Sequence, residues 1–334
     1  MKEAILLCGG PSEEYAVSLC SAAEVMRHAE KTPYNLTPVL MTKAHDFFVL
    51  DASPHDIENG APKTLHRLFP MPNGFLTEDM SRCLKPRVIF PLMHGAFGED
   101  GGVQGLLSYV GLPFVGCKTE ASSIAMNKLT AKRLAASAGI SVAKAMPVFR
   151  DDFDKAASTL GLPFFVKPIS GGSSIGAGIV RDKRDFLRLL SGNPSPMMAE
   201  TYLRARELEV AVVETENGIF PSLPGEIIPS RDFYDYEDKY NSNAARLLCP
   251  ADCEDSLKKE LSRIAVTLFS LFGCRGLSRV DFFYTDDGRI LFNEINTMPG
   301  FTKDSLYPRL VSHTLGITES ELVTLLLSFA EAHP

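Results

Sequence analysis

The chain has 334 residues, more than one ordinary domain core usually holds, so we expect two or three domains. It is 45% hydrophobic and 22% charged, as a soluble globular protein is, and its net charge of −7 favours neither a nucleic-acid nor a membrane partner. Seven cysteines without a C-x-x-C pair indicate reduced thiols, and no apolar run suits a signal peptide or a membrane span, so we expect a cytoplasmic protein.

The first third of the chain alternates strand and helix patterns. The predicted elements are strands at 4–8, 36–41, 47–50 and 87–92, and helices at 17–29 and 103–110. This alternation is typical of a parallel sheet with helical crossovers, whose ligands bind at the carboxyl ends of the strands. Gly9-Gly10 and His94 each follow a predicted strand at such an end.

The rest of the chain continues with mixed elements. They are helices at 120–126, 127–138, 182–190 and 255–272, and strands at 163–167, 197–200, 207–214 and 225–229. Between them, residues 230–247 are polar and aromatic without periodicity, which predicts a functional lid. Lys167 ends a strand before a loop rich in glycine and serine, whose N–H groups and hydroxyls suit phosphate. Taken alone, most loops of this composition are ordinary turns, and a lysine such as Lys128 is more often a surface residue than a phosphate ligand.

The segment 279–296 carries the strongest chemical signal. Asp287-Gly288 is a preferred two-residue hairpin turn, and the register it sets pairs Asp281 with Glu294. The period of two then places six side chains on one face: Arg279, Asp281, Phe283, Phe292, Glu294 and Asn296. Facing carboxylates, with Cβ atoms about 4.5–5.5 Å apart, repel each other unless a cation lies between them. Their oxygens suit Mg²⁺, with substrate phosphates completing its shell. The alternative is an exposed acidic hairpin, against which the two phenylalanines argue.

A series of motifs between residues 9 and 306 is ordered as in one known family. The motifs are Gly9-Gly-Pro-Ser-Glu-Glu14, His94-Gly-x-x-Gly-Glu-Asp-Gly101, Met126-Asn-Lys128, Val166-Lys-Pro168, Glu200-Thr-Tyr-Leu203, the tyrosine-rich run from Phe233 to Tyr240, Arg279-Val-Asp281, Asn293-Glu-Ile-Asn296 and Met298-Pro-Gly-Phe-Thr302. Together they resemble the D-alanine–D-alanine ligases of the ATP-grasp superfamily. Each motif is weak alone, whereas the ordered set is specific.

The resemblance implies an α/β fold with a three-domain ATP-grasp architecture and an N-terminal parallel, Rossmann-like domain. The implied domains are 1–117 with the first D-alanine site, 118–200 with the phosphate loop, and 201–334 with the metal hairpin and a lid loop at 230–247. The implied activity is ligation of two D-alanine molecules through a D-alanyl phosphate, for peptidoglycan precursor synthesis. It implies ATP as substrate, two Mg²⁺ ions (Mn²⁺ being possible) and a homodimer.

Site residues follow from the resemblance motif by motif. Those implied for the D-alanine sites and catalysis are Glu14, His94, Arg279, the N–H of Gly300, Ser305 and Leu306. Those implied for ATP are Lys128, Lys167, Ser173, Glu200, Thr201, Tyr202, Leu203, Glu207, Lys239 and Phe283. Those implied for the metals are Asp281, Glu294 and Asn296. Glu14, Ser173 and Tyr240 resemble a hydrogen-bonded trio that closes the lid and keeps water from the acylphosphate.

Three alternatives stay open at this stage. Relatives that make D-alanyl-D-lactate carry a different residue at the position of Tyr240, so the tyrosine favours an amine nucleophile over D-lactate, while D-serine is a further alternative. A regulatory module that binds nucleotide without turnover is disfavoured by the intact set of charged residues. A Rossmann-type oxidoreductase is disfavoured because no G-x-G-x-x-G follows the first strand.

Overall fold

The computed structural model describes residues 1–60, 62–229 and 245–334. Within them, three β-sheets follow one another along the chain. The helices are α1 (Tyr15–Ala29), α2 (Pro54–Glu58), α3 (Gly102–Val110), α4 (Thr119–Met126), α5 (Lys128–Ser137), α6 (Phe153–Leu160), α7 (Lys183–Ser191), α8 (Asp255–Leu271), α9 (Leu306–Leu315) and α10 (Glu319–Ala332). No described helix is both long and apolar enough to cross a bilayer. All seven cysteines are free thiols.

The first sheet has seven strands in the order β6-β5-β4-β3-β2-β1-β7. They are β1 (Lys2–Gly9), β2 (Tyr34–Met41), β3 (Phe47–Asp51), β4 (Lys63–Met71), β5 (Gly74–Thr77), β6 (Cys83–Leu84) and β7 (Val88–Pro91). The predicted parallel pairing is confirmed for β1 with β2 and with β7. The other pairs are antiparallel, and the links at 42–46, 72–73 and 78–82 are too short for a helical crossover. Sequence patterns missed β4, β5 and β6.

The second sheet is antiparallel, in the order β10-β9-β11-β8. Its strands are β8 (Ala145–Val148), β9 (Phe164–Pro168), β10 (Gly178–Val180) and β11 (Met197–Thr201). The third sheet has the order β15-β14-β12-β16-β17, with β13 beside β12. Its strands are β12 (Ala205–Thr215), β13 (Gly218–Pro221), β14 (Gly225–Ile228), β15 (Arg246–Leu248), β16 (Leu277–Thr285) and β17 (Ile290–Asn296). Residues 246 and 247 of the predicted lid lie in β15, and 230–244 lie outside the described residues.

Helices α4 and α5 pack on the third sheet. Ala125 and Ala131 share one buried cluster with Val210, Val280 and Phe292. The side chain of Asn127 accepts a hydrogen bond from the N–H of Thr130 and so begins α5. Small alanines let the helices approach the third sheet closely, and Lys132 of α5 reaches Glu200 of β11, an inner strand of the second sheet.

The last two helices, α9 and α10, return to the first sheet. Leu326 and Tyr307 share a buried cluster with Leu6 and Val25 from the start of the chain. Near the end of α10, Glu331 accepts hydrogen bonds from Lys2 Nζ (2.8 Å), Tyr34 Oη (2.7 Å) and Arg87 Nε (2.8 Å). The two ends of the chain therefore share one core.

Candidate active site

A cleft of about 350 Å³ lies between the second and third sheets. Eleven of the residues implied by the resemblance line it: Lys128, Lys167, Ser173, Glu200, Thr201, Tyr202, Leu203, Glu207, Asp281, Phe283 and Glu294. They come from α5, the ends of β9 and β11, the loop 168–178 and three strands of the third sheet. Lys239 and Tyr240, also implied, lie outside the described residues.

Two lysines enter the cleft from different elements. Lys128, at the start of α5, donates to the backbone oxygen of Gly171 (2.5 Å) and lies 3.3 Å from Glu294 Oε2. Lys167, near the end of β9, lies 2.6 Å from Glu200 Oε1 and donates to Asn293 Oδ1 (3.3 Å). Both are nearly buried, so their charges act across a medium that screens them less than water does.

Three carboxylates form a row across neighbouring strands of the third sheet. Glu209 of β12 is in register with Asp281 of β16, which is in register with Glu294 of β17. Arg279 joins this carboxylate row: its Nε and Nη2 donate to Asp281 (both 2.8 Å), and its Nε lies 3.1 Å from Glu209 Oε2. Asn296 Nδ2 donates to Asp281 Oδ2 (3.0 Å), so the implied metal ligands converge on one spot.

The predicted hairpin register is confirmed where the charged residues lie and wrong beyond them. Asp281 pairs with Glu294 and Arg279 with Asn296, as predicted. The turn, however, holds three residues, since the N–H of Thr285 donates to Arg289 O and Gly288 adopts a left-handed φ of 80°. A bulge between Asp281 and Phe282 compensates for the extra residue.

This bulge changes the predicted face of one phenylalanine. Phe292 pairs with Phe282, and both rings are buried in the core under the sheet. The prediction that Phe292 shares a face with Asp281 is therefore wrong. Phe283 keeps its place and lines the cleft. The bulged residue is Asn293, which lines the cleft as well.

Beyond the loop 168–178, Glu14 lies where two loops meet. Ser173 Oγ donates a hydrogen bond to Glu14 Oε1. A Cβ added at Gly95 would lie 2.5 Å from Glu14 Oε2, and one at Gly172 would lie 2.8 Å from the same oxygen. We call this arrangement of Glu14, Ser173 and the two glycines the Glu14 contact. A side chain at either glycine would therefore push the Glu14 carboxylate from this position.

Two family models match this chain. The model described as "D-ala D-ala ligase N-terminus" matches residues 3–117, and that described as "D-ala D-ala ligase C-terminus" matches residues 134–328. The chain belongs to the D-alanine–D-alanine ligase family. It is therefore a ligase, and its fold is the three-domain ATP-grasp fold of that family.

Individual relatives cover nearly the whole ligase chain. It is 34% identical to the D-alanine–D-alanine ligase of Caldicellulosiruptor bescii, over 99% of this chain and 95% of the relative. Among solved structures, it resembles the VanG D-Ala:D-Ser ligase from Enterococcus faecalis with a TM-score of 0.87 and 31% identity, over 98% of this chain and 99% of that one. The D-alanine–D-alanine ligase from Coxiella burnetii gives a TM-score of 0.84 and 28% identity, over 99% and 94%.

In this ligase a chain of hydrogen bonds joins the first sheet to the loop after β17. The N–H of Phe301 donates to Ser21 Oγ (3.2 Å), which lies 3.0 Å from His94 Nε2. His94 Nδ1 lies 3.2 Å from Met298 O, which can only accept, so Nδ1 carries the proton and Nε2 accepts from Ser21. Burial lowers the pKa of His94, which keeps the ring neutral.

The same loop presents Gly300 and Ser305. Ser305 precedes α9, and its Oγ accepts a hydrogen bond from the N–H of Thr302 (3.0 Å). A Cβ at Gly300 would lie 2.8 Å from Ser305 Oγ, so only glycine fits beside this hydroxyl without a shift. Leu306 is buried in the first turn of α9.

Sequence reasoning missed four polar residues of this ligase site. Glu209 stands two residues after Glu207 on one strand, so the strand period could have found it. Lys132 stands one helical turn after Lys128, and that spacing was also visible. Asn293 faces the cleft only because the bulge reverses its side of the strand, which the strand period did not predict. Glu99 accepts from the N–H of Gly95 (2.7 Å), and burial, followed by the charge of Glu14, raises its pKa to about 8.

Proposed function

We propose that this ligase joins two D-alanine molecules into D-alanyl-D-alanine, with ATP as the phosphoryl donor. The observation that carries the proposal is the meeting of three features at one cleft: two nearly buried lysines and the carboxylate row line it, and the Glu14 contact adjoins it through Ser173 and Gly172. Phosphoryl transfer to a carboxylate needs a charge-neutralised phosphate beside a held amino acid.

The nucleotide occupies the cleft. Lys128 and Lys167 bind its phosphates, the backbone of residues 200–203 frames the adenine, Glu207 binds the ribose and Phe283 packs on it. Asp281, Glu294 and Asn296 would hold two Mg²⁺ ions, or Mn²⁺ in their place. The donor set fits, because the carboxylates of Asp281 and Glu294 are in register, the Asn296 side-chain amide lies beside Asp281, and hard cations prefer carboxylate and amide oxygens. When bound, the metal offsets the negative charge of the phosphates.

The first D-alanine lies against Glu14, whose carboxylate binds the ammonium group, with His94 beside it. Its own carboxylate faces the γ-phosphate and attacks the phosphorus, which releases ADP and leaves an acylphosphate. Ser173 fixes Glu14, and Tyr240 is the proposed third member of that group.

The second D-alanine binds with its carboxylate at Ser305 and Leu306, where the N-terminus of α9 favours a negative charge. Its amine attacks the acyl carbon, a proton is lost from the amine, and phosphate leaves. Arg279 and the N–H of Gly300 stabilise the oxyanion that forms on the way.

The proposed domains are 1–117, 118–200 and 201–334, with a lid at 230–247. The proposed assembly is a homodimer in the cytoplasm. The packing of α4 and α5 on the third sheet supports a firm link between the second and third domains.

The test is mass analysis of the product formed from D-alanine, ATP and Mg²⁺. The expected product is the dipeptide, with one ADP and one phosphate for each peptide bond. D-serine and D-lactate, offered as second substrates across a range of pH, should give little product. A depsipeptide as the main product at neutral pH, or ATP binding without ADP release, would contradict the proposal.

A further inference from the structure

Lys132 is a buried ammonium group that lies behind the nucleotide cleft and is not among the residues lining it. Its side chain is 3% exposed, and its Nζ lies 3.1 Å from Glu200 Oε2. A buried ammonium costs several kcal/mol unless it is paired, so an apolar residue would suit this position better if only packing mattered. The presence of a lysine at this position therefore indicates an electrostatic role.

The partner in this electrostatic role is Glu200, whose carboxylate is shared between two lysines. Oε2 faces Lys132, and Oε1 lies 2.6 Å from Lys167 Nζ. Burial would raise the pKa of Glu200, but the charges of Lys132 and then Lys167 outweigh it and bring the pKa to about 2. The carboxylate is therefore ionised at neutral pH.

Lys167 and Glu200 both line the cleft, whereas Lys132 does not. If Lys132 were neutral, Lys167 would be the one close cation of Glu200 among the described residues, and Glu200 would hold it more tightly. Sharing the carboxylate with Lys132 weakens that hold and fixes the carboxylate from behind. The ammonium of Lys167 can then also contact Asn293 and the phosphates.

We propose that Lys132 is a positioning residue, which fixes the Glu200 carboxylate and through it aims the Lys167 ammonium at the phosphates of the nucleotide. The inference rests on the proposed function, since it takes the cleft to hold ATP. Lys132 itself touches no substrate. Its effect passes through Glu200, so it should depend on the charge of Glu200 and on the presence of phosphates in the ligand.

The test is calorimetric binding of ADP and of adenosine, with Mg²⁺, to the full-length protein and to Lys132→Met. We expect the Kd for ADP to rise about tenfold, a change typical of a lost charge contact, and that for adenosine to change less than about twofold. Lys132→Arg keeps the charge and should recover part of the ADP affinity. Lys155→Met, which removes an exposed lysine of α6, changes the net charge equally and should leave both affinities unchanged.

If Lys132 had a role in packing alone, Lys132→Met would lower the melting temperature and would change the affinities for ADP and adenosine to the same extent. Unchanged ADP binding, or an equal loss for both ligands, overturns the role of Lys132. On a Glu200→Gln background, Lys132→Met should cost little further ADP affinity, and an undiminished loss there also overturns it. Lys132→Gln serves the same test if Lys132→Met fails to fold. Wild-type protein that binds neither ligand overturns the proposed function instead.

Discussion

The carboxylate row lines the cleft and the Glu14 contact adjoins it through Ser173 and Gly172, but the protein holds the two groups differently. Glu209, Asp281 and Glu294 stand on three paired strands, so the backbone ladder fixes their spacing. The Glu14 contact joins a loop of the first sheet to the loop 168–178 through Ser173. The row is thus set by one sheet, whereas the contact exists only when separate parts of the chain approach. The row should respond mainly to charge and the contact mainly to the fit between loops.

The largest effect is expected from charge in the row. Glu294→Gln keeps the shape but removes one of the negative charges that a metal requires, so kcat/KM for ADP release should fall about 10³-fold, since metal-assisted stabilisation contributes several kcal/mol. Asp287→Asn removes a carboxylate at the exposed tip of the same hairpin and should change kcat/KM little. A Glu294→Gln enzyme with more than about a tenth of wild-type activity would show that the row is not a metal site.

The core beneath the row should dominate stability rather than chemistry. Phe292→Ala opens a cavity under the strands and should lower the free energy of unfolding by about 3–5 kcal/mol, seen as a shift of the urea midpoint. Phe283→Ala, on the cleft side, should shift the midpoint much less but raise the KM for ATP. A large loss of stability for Phe283→Ala with little loss for Phe292→Ala would contradict the bulge, which places the two rings on opposite faces of the sheet.

The Glu14 contact should be sensitive to one hydroxyl. Ser173→Ala removes the donor to Glu14, and we expect kcat/KM for D-alanine to fall about tenfold, with the melting temperature nearly unchanged. Ser170→Ala, an exposed serine at the start of the same loop, is the matched control. If both variants lose activity equally, the loop as a whole matters and not the contact.

The smallest effect concerns pH and the hydrogen bonds of His94. Burial lowers the pKa of this imidazole in the folded protein, so the unfolded chain binds the proton more readily. Its contribution to stability therefore falls as the pH drops below about 6.5, by at most about 1.4 kcal/mol per pH unit for one proton. His94→Asn keeps a donor for Met298 but cannot titrate. Melting temperatures between pH 5 and 7.5 should fall less steeply for the variant than for the wild type.

The carboxylate row could be predicted from the sequence pattern, whereas the Glu14 contact could not. Pairing of Asp281 with Glu294 is local and follows from a hairpin period, although the turn and the bulge were both missed and their errors cancelled. The contact of Glu14 with Ser173 joins residues 159 apart, and only the family resemblance suggested it. Lys132 and Glu209 could have been found from helical and strand spacing. Asn293 could not, because its position depends on the bulge.

The helices α9 and α10 at the end of the chain have a consequence for biosynthesis. Their residues complete a core that begins with the first strand, and Glu331 joins Lys2, Tyr34 and Arg87. During translation, an apolar face of the first sheet therefore stays uncovered until α9 and α10 have left the ribosome. An early terminated fragment would keep that face exposed, making truncated products targets for chaperones and proteases rather than independent folding units.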